Sequence, residues 1–367
     1  MAENPDRIRL DGFFNQMPVL SASDLHLKAG NPPLYRVEGL LHRAKSEPLT
    51  PEQIESLAHE LLGPDGMADL REKGSVDLGR DIKGGRVRIN VFLQKGHVGM
   101  AVRMLDADIP KLEDIHLPES LRRIVDFRQG LVLVCGITGS GKSTTLACIL
   151  QMINERHRYH ILTLEDPIEY LHTDAKSIIN QREIGLDCRN WPDALRAAVR
   201  EDPDVILVGE MRDTETFRAG LTAAETGHLV FGTLHTSSAA GTVARILDLF
   251  PTDRHTLIRQ TLASNIQAII CQKLVPSYRE DVHVVPAVEL MFANPSIRKA
   301  IERGDDARIP DLIAVGQQEG MQGWTESFVK LIREGYVEKK IALEYAANKE
   351  ALAMALRGIG VSKRAIG

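Results

Sequence analysis

The residues with the clearest chemical meaning form a glycine-rich segment at 136–143, with the sequence GITGSGKS. It matches the spacing G-x-x-x-x-G-K-[ST] completely and lies between an apolar stretch and a helical pattern. Glycines in such a loop let backbone N–H groups turn towards phosphate oxygens, and the start of the following helix adds its dipole. The segment predicts a nucleoside triphosphate site, with Lys142 on the β and γ phosphates and Ser143 on Mg²⁺. The binding residues are expected to be Thr138, Gly139, Ser140, Gly141, Lys142, Ser143 and Thr144.

Acidic residues stand at both ends of the apolar stretch at 205–208, and strand geometry distinguishes them. In a parallel sheet the ligand lies beyond the carboxyl ends of the strands, at the edge that carries the phosphate loop. Asp204 precedes the stretch and Glu210 follows it. At ~3.3 Å per residue, the two ends of such a strand lie well over ~10 Å apart. We therefore predict that Glu210, and not Asp204, orients or deprotonates the attacking water. A structural carboxylate is the alternative.

A second acidic pair follows the apolar stretch at 161–164. Glu165 and Asp166 emerge at the same predicted edge of the sheet as the phosphate loop. There they are expected to hold Mg²⁺ through water, and Glu165 is also placed among the catalytic residues. The alternative is that both carboxylates cap local backbone groups.

Two histidines lie at opposite ends of the apolar stretch at 229–234. His235 follows the stretch, so it belongs to the predicted edge of the phosphate loop and is in a position to sense the γ-phosphate. His228 starts the stretch and on simple geometry lies further away. From the residues alone, a structural role stays open for both histidines.

The composition describes a protein of more than one domain. Its 367 residues exceed the ~100–200 usual for one domain. Lys and Arg number 45 against 50 Asp and Glu, so the chain lacks an overall basic field and no nucleic-acid partner is expected. The four cysteines are far apart in the sequence, which argues against a disulfide scaffold or a structural zinc site. No apolar run approaches ~18–20 residues and the start lacks a signal-peptide pattern, so we expect a cytoplasmic location.

The elements that must position these residues alternate between strands and helices. Strands are predicted at 131–135, 161–164, 205–208 and 229–234, and a helix at 143–157, which indicates a parallel α/β sheet within a core at 119–290. Residues 1–105 predict an α+β domain, with a helix that begins at Thr50 and Pro51 and strands at 76–81, 86–93 and 97–105. A linker is expected at 106–118, and a helical domain at 291–367.

Four blocks of the sequence carry a family resemblance: GITGSGKST, TLEDPIEY, REDPDVILVGEMRD and AAETGHLVFGTLHTSSA. Together they resemble the Walker A, Asp-box, Walker B and His-box set of the secretion ATPase superfamily. With SASDLHLKAGNPPLYRVEG near the start, the chain looks like the PilT/PilU group of twitching-motility ATPases, which retract type IV pili. The resemblance extends over roughly residues 20–290.

The resemblance implies a fold, a cofactor and partners. It implies an N-terminal PAS-like domain, a RecA-like ATPase core and a C-terminal helical segment, with MgATP as substrate and six copies in a ring. It also implies a pilus platform protein of the inner membrane as partner, reached from the cytoplasmic face.

The resemblance further implies site residues that the spacing alone leaves open. His228 and His235 both become site residues, as does Glu225 in the same block. Nucleotide is expected in the cleft between the two main domains, with N-domain arginines on the phosphates. Arg88 and Arg103 match them, and solvated strand arginines are the alternative. Arg196 and Arg200 are the next candidates, with a surface salt-bridge face as their alternative.

The sequence departs from the family pattern in ways that bear on its branch. The tetracysteine zinc element of pilus-extension and type II secretion ATPases is missing, which favours retraction. The AIRNLIRE stretch of many retraction motors is represented only by SIRKAIER at 296–303. An accessory PilU-like ATPase that assists a paralogous motor therefore stays open. So do a catalytically silent ring subunit and, less favoured, a RecA-like nucleic-acid translocase.

Overall fold

The computed structural model describes residues 10–105 and 108–357, which form two compact units. The first unit extends to Asp108 and also includes Pro167–Leu171, and the second comprises Ile109–Asp166 and the chain from His172 onwards. The division lies within the predicted linker at 106–118, of which residues 106 and 107 are outside the described residues. Leu112 and Leu117, also from that segment, are buried in the core of the second unit.

The first unit combines helices with a six-stranded antiparallel sheet. The predicted strands at 76–81, 86–93 and 97–105 are confirmed as β4, β5 and β6. The elements are α1 (Leu10–Phe14), α2 (Gln16–Val19), β1 (Ala22–Lys28), β2 (Leu34–Val37), β3 (Leu40–Arg43), α3 (Pro51–Lys73), β4 (Ser75–Ile82), β5 (Gly85–Gln94) and β6 (His97–Leu105).

Helix α3 begins where the sequence predicts it. The Thr50 side chain accepts a hydrogen bond from the Gln53 backbone N–H, and the Gln53 side chain accepts one from the Thr50 N–H, so each satisfies a donor of the first turn. Pro51 takes the first helical position, where its missing N–H costs nothing. Gly63, at φ +65° and followed by Pro64, interrupts the helical backbone within α3.

The register of the first sheet decides which side chains share a face. The strand order is β3-β2-β1-β6-β5-β4. Arg88 of β5 lies opposite Arg103 of β6, and Arg103 lies opposite Asp24 of β1. Because neighbouring residues of a strand point to opposite faces, these three lie on one face, while Val87 and Val102 are buried on the other. Arg88 and Arg103 therefore share one face of the first sheet.

The second unit is built on a seven-stranded sheet covered by helices. Its strands are β7 (Gly130–Cys135), β8 (His160–Glu165), β9 (Ile178–Glu183), β10 (Val205–Val208), β11 (Leu229–Leu234), β12 (Ile266–Pro276) and β13 (Val284–Phe292). Its helices are α4 (Lys142–Arg156), α5 (Trp191–Ala198), α6 (Thr214–Glu225), α7 (Ala239–Asp248), α8 (His255–Asn265), α9 (Pro295–Arg303), α10 (Ile309–Val315), α11 (Trp324–Arg333), α12 (Lys339–Tyr345) and α13 (Lys349–Leu356). Short 3₁₀ turns lie at Glu119–Asp126, Thr252–Arg254, Asp306–Arg308 and Gly316–Glu319.

The strands of this sheet follow the order β13-β12-β7-β11-β10-β8-β9. Neighbours from β12 to β9 pair in parallel, which confirms the predicted parallel sheet. Strands β7, β10 and β11 are buried along their whole length, as expected for strands covered on both faces. The edge strands β9 and β13 and the long β12 were not predicted, and β13 pairs antiparallel to β12.

The predicted helices after residue 291 are present as α9 to α13 and belong to the second unit. Ile297, Ile301 and Ile313 of α9 and α10 are buried in its main core. Helices α11 to α13 enclose a smaller core with Val275 of β12 and Val285 of β13. The C-terminal helices are therefore packed directly on the β12–β13 hairpin.

Candidate nucleotide site

The glycine-rich segment forms a tight loop between β7 and α4. Gly139 and Gly141 have φ values of +77° and +84°, a left-handed backbone that glycine adopts without a Cβ clash. Helix α4 begins at Lys142, and no side chain caps its N-terminus. The first N–H groups of α4, with the positive end of its dipole, therefore face the loop.

Two side chains of the loop fit a bound triphosphate. The Lys142 Nζ donates to the Gly136 and Ile137 carbonyl oxygens at 3.0 and 3.1 Å, which holds the ammonium group over the loop. The Ser140 hydroxyl oxygen is buried and has no hydrogen-bond partner among the described residues. A buried polar atom of this kind costs free energy unless it is paired, so this loop suits an oxygen-rich anion.

The carboxyl ends of four neighbouring strands bring the remaining predicted groups to the same edge. Gly136 donates its N–H to the Leu234 carbonyl at 3.2 Å, which joins the ends of β7 and β11. Gly209 donates to the Leu164 carbonyl at 2.8 Å, which joins the ends of β10 and β8. His235, Glu210 and Glu165 therefore follow one another along this edge, beside the loop.

Glu210 lies at the centre of a charged cluster at this edge. The His235 Nε2 is 2.8 Å from Glu210 Oε1, and the Arg212 guanidinium contacts the same oxygen. Burial opposes ionisation of Glu210, but the hydrogen bond and charge of Arg212, together with His235, hold the pKa of this carboxyl below its ordinary value. Glu210 is therefore ionised at neutral pH and suited to accept a hydrogen bond from water.

Glu165 is oriented by its neighbours, and Asp166 is exposed beside it. Thr163 Oγ1 and Gln181 Nε2 donate to Glu165 Oε1 at 2.7 and 3.1 Å. Across residues 10–105 and 108–357, no group of three or more His, Cys, Asp or Glu side chains could hold a metal ion by itself. The carboxylates of Glu165 and Asp166 nevertheless fit Mg²⁺, because this ion is commonly bound by one or two protein oxygens together with substrate phosphates and water.

The opposite edge of the sheet carries Asp204 and His228. Asp204 Oδ2 accepts a hydrogen bond from the His160 N–H at 2.8 Å and so ties β10 to β8 at their amino ends. The His228 Nδ1 lies 2.9 Å from the Ala223 carbonyl, at the turn after α6. The structure thus brings His235, and not His228, to Glu210 within one chain. Glu225 is exposed near the same turn.

The predicted arginines are engaged locally. In the first unit, Arg103 Nε donates to Asp24 Oδ1 at 2.9 Å, while Arg88 is 3.9 Å from Asp77. In the second unit, Arg196 pairs with Asp193 at 3.2 Å on the surface of α5, and Arg200 is exposed beyond the end of that helix.

Two charged residues of this region were given no role by the sequence analysis. Arg212 is the first, and its position two residues after Glu210 is the signal that could have found it. The second is Glu289 of β13, which is 5% exposed and accepts a hydrogen bond from the Ala239 N–H at 2.7 Å. Glu289 thereby fixes the N-terminus of α7, the helix that follows His235. Burial raises the pKa of Glu289 to about 7.

A cavity of about 880 Å³ lies within the first unit. It is lined mainly by apolar side chains of α1, β2 and the segment before α3, including Phe13, Tyr35 and Leu49.

The loop, the parallel sheet and the acidic edge define a P-loop nucleoside triphosphatase with a RecA-like core. The model of the type II/IV secretion system protein family matches residues 101–315. The chain is 42% identical to the type IV pilus retraction ATPase PilT of Pseudomonas aeruginosa, over 89% of this chain and 94% of that protein. It is 34% identical to the type IV pilus ATPase PilU of the same organism, over 91% of this chain and 88% of that protein.

A solved structure of similar fold is the crystal structure of the pilus retraction motor PilT with bound ADP. It has a TM-score of 0.86 and 41% identity, and the match covers 94% of this chain and 99% of that one. The chain belongs to the type II/IV secretion system protein family and is one of its ATPases. Within the described ranges, no helix is long and apolar enough to cross a membrane.

The separation of the two sheet edges can be tested with a matched pair of amide variants. Glu210→Gln keeps the shape of the side chain but removes its charge, so we expect hydrolysis to fall by roughly 10²-fold or more while ATP still binds. Asp204→Asn keeps an oxygen that can accept from His160 N–H, so its hydrolysis rate should stay near that of the wild type. Steady-state ATPase rates measure hydrolysis by the two variants, and nucleotide affinities measure their binding. Equal losses in the two variants would contradict the assignment.

The buried Glu289 predicts a pH dependence of folding stability. Its pKa rises from 4.5 to about 7 on folding, so the folded state holds a proton that the unfolded state has lost. The free energy of unfolding should therefore fall as the pH rises from 4.5 to about 7. At 1.36 kcal/mol per pKa unit, the total loss is roughly 3 kcal/mol. Glu289→Gln should lack this loss. Urea unfolding of both proteins at about pH 5 and about pH 8 measures the difference, and parallel pH profiles would disprove it.

Proposed function

We propose that this chain hydrolyses MgATP to power the retraction of a type IV pilus. The observation that carries the proposal is the Glu210 cluster beside the phosphate loop, in a chain 42% identical to a pilus retraction ATPase. A triphosphate bound in the loop would place its γ-phosphate towards the edge at which Glu210 and His235 lie.

The residues of the site divide the chemistry between them. Lys142 and the N–H groups of the loop neutralise the phosphate oxygens. Ser143, with Glu165 and Asp166 through water, would hold Mg²⁺, which screens the charge of the β and γ phosphates. Water attacks the γ-phosphorus, the bond from the γ-phosphorus to the bridging oxygen breaks and ADP leaves. Glu210 accepts the hydrogen bond of the attacking water, whose proton passes to an oxygen of the product phosphate. With its pKa held low, Glu210 orients the water more than it acts as a strong base.

The proposal extends to assembly and location. A motor that acts around a filament needs identical head-to-tail interfaces that close into a ring, and we propose a ring of six. It would act at the cytoplasmic face of the inner membrane on a pilus platform protein. These points rest on the resemblance to the PilT/PilU group, as does the PAS-like character of the first unit.

An accessory role beside a paralogous motor is the second candidate. The observation that favours it is the SIRKAIER stretch, which forms α9. Its Arg298 donates to the Ala263 and Ser264 carbonyls at 2.6 and 2.9 Å and so caps the C-terminus of α8. This arginine has a structural task here, and the rest of the stretch differs from that of many retraction motors.

The function can be tested with a chromosomal Lys142→Ala allele in the host. Loss of the charge that pairs with the phosphates should abolish hydrolysis, and cells should lose surface motility while keeping normal or excess pili. Cells without pili would indicate assembly, and motile cells an accessory or different role.

Light scattering of the purified wild type with ATP tests the ring, and a mass near one 40.6 kDa chain would contradict it.

Arg88 and Arg103 stay predicted catalytic residues. Arginines on a transferred phosphoryl group accelerate hydrolysis on the order of 10³–10⁵-fold, so the Arg88→Ala, Arg103→Ala double variant should turn over far more slowly. Arg80→Ala, which removes a surface pair with Asp11 on the same domain, is the matched control. Near-normal turnover in the double variant would make them ordinary strand arginines, with Arg196 and Arg200 next to test.

A further inference from the structure

Gln272 is a buried polar residue in the β12 strand, behind the phosphate loop. It is 4% exposed, and both ends of its carboxamide are hydrogen-bonded. The Nε2 donates to the Ser140 carbonyl at 2.7 Å, and the Oε1 accepts from Thr145 Oγ1 at 2.7 Å. One side chain therefore joins the loop to the first turn of α4.

The register explains why Gln272 reaches both partners. Strand β12 pairs in parallel with β7, and Cys271 lies opposite Cys135, the last residue before the loop. Gln272 is therefore the residue of β12 that lies level with Gly136. A Cβ on Gly136 would lie 2.5 Å from the Gln272 carbonyl oxygen, and one on Gly141 would lie 2.7 Å from its Nε2. These two glycines permit the loop to pack against Gln272.

The contact with Ser140 fixes the direction of a peptide group. In a trans peptide the C=O of one residue and the N–H of the next point to opposite sides. Because the Ser140 carbonyl is held towards Gln272, the Gly141 N–H is turned away from β12. An N–H turned away from the sheet is free of it and suits the binding of a phosphate oxygen, as the inward N–H groups of phosphate loops do.

We propose that Gln272 is a positioning residue for ATP binding: it orients the Ser140–Gly141 peptide and holds the loop against α4. The inference rests on nucleotide binding at this loop and does not depend on pilus retraction. Gln272 does not touch the phosphates, so its removal should act through the geometry of the donors. Binding a ligand costs less conformational entropy when the loop is already ordered, so a loosened loop should bind nucleotide more weakly.

The test compares two glutamines of the same strand. Gln272→Met keeps the volume and removes both hydrogen bonds. Gln267→Met is the control, since Gln267 is also bonded at both ends, to Gln129 and Arg298, but at the other edge of the sheet. Isothermal titration with ADP and with a non-hydrolysable ATP analogue gives the affinities, thermal unfolding without nucleotide gives the stabilities, and steady-state assays give KM and kcat.

We expect Gln272→Met to weaken nucleotide binding by about 10-fold, which is less than the combined contribution of two such hydrogen bonds, because both are already present in the nucleotide-free protein and only the ordering of the loop is lost. KM should rise by a similar factor while kcat changes less, because Glu210 and His235 follow the ends of other strands, β10 and β11. Gln267→Met should bind nucleotide like the wild type, whatever its effect on thermal stability. Thr145→Val should give an intermediate loss, and Thr145→Ser should restore binding because it keeps the donor.

Several results would overturn the proposal. One is a Gln272→Met protein that binds nucleotide within about twofold of the wild type while its melting temperature falls, since that is the behaviour of a packing residue alone. Another is an equal loss of affinity in Gln267→Met. If Gln272→Met does not fold, the Thr145→Val and Thr145→Ser pair decides, and equal affinities of both with the wild type would refute it. Unchanged binding by Lys142→Ala would instead refute the site itself.

Discussion

Parallel pairing of β7, β11, β10 and β8 is the constraint on which the rest of the site depends. Their hydrogen bonds run in register up to the carboxyl ends, so residues that follow four different strands meet at one edge. Glu210 and His235, which are 25 positions apart in the sequence, come within 2.8 Å only because β10 and β11 are neighbours. The same pairing carries Asp204 and His228 to the opposite edge.

Charge then determines how the groups at this edge behave. Burial alone would raise the pKa of a half-buried carboxylate, but Arg212 and His235 lower the pKa of Glu210 by more than burial raises it. Glu289 shows the contrary case, because it is more deeply buried and its main partner is a backbone N–H. The two glutamates differ in their charged neighbours, and one is held ionised while the other titrates near neutrality.

The β12–β13 hairpin supports this edge from the side. Gln272 of β12 is bonded to the phosphate loop, and Glu289 of β13 to the first residue of α7, which follows the His235 segment. The hairpin also carries the C-terminal helices: the Val288 N–H donates to Ser327 of α11, and Lys273 lies over the Trp324 ring. Lys273 and Val288, which contact α11, are the sequence neighbours of Gln272 and Glu289. The C-terminal helices are therefore packed beside the two residues that are bonded to the phosphate loop and to α7.

The sequence by itself determined the phosphate loop, the four central strands β7, β8, β10 and β11, and the edge of the sheet at which Glu165, Asp204 and Glu210 lie, because these follow from local spacing and from the order of residues along one strand. It also determined the start of α3, since a capping box is formed by residues three positions apart. Tertiary structure decided the order of the strands, and with it that His235 contacts Glu210. It also decided the partners of Gln272, which lie 127 and 132 positions away. No periodicity encodes a hydrogen bond over such a separation, because it depends on how strands from distant parts of the chain come to lie side by side.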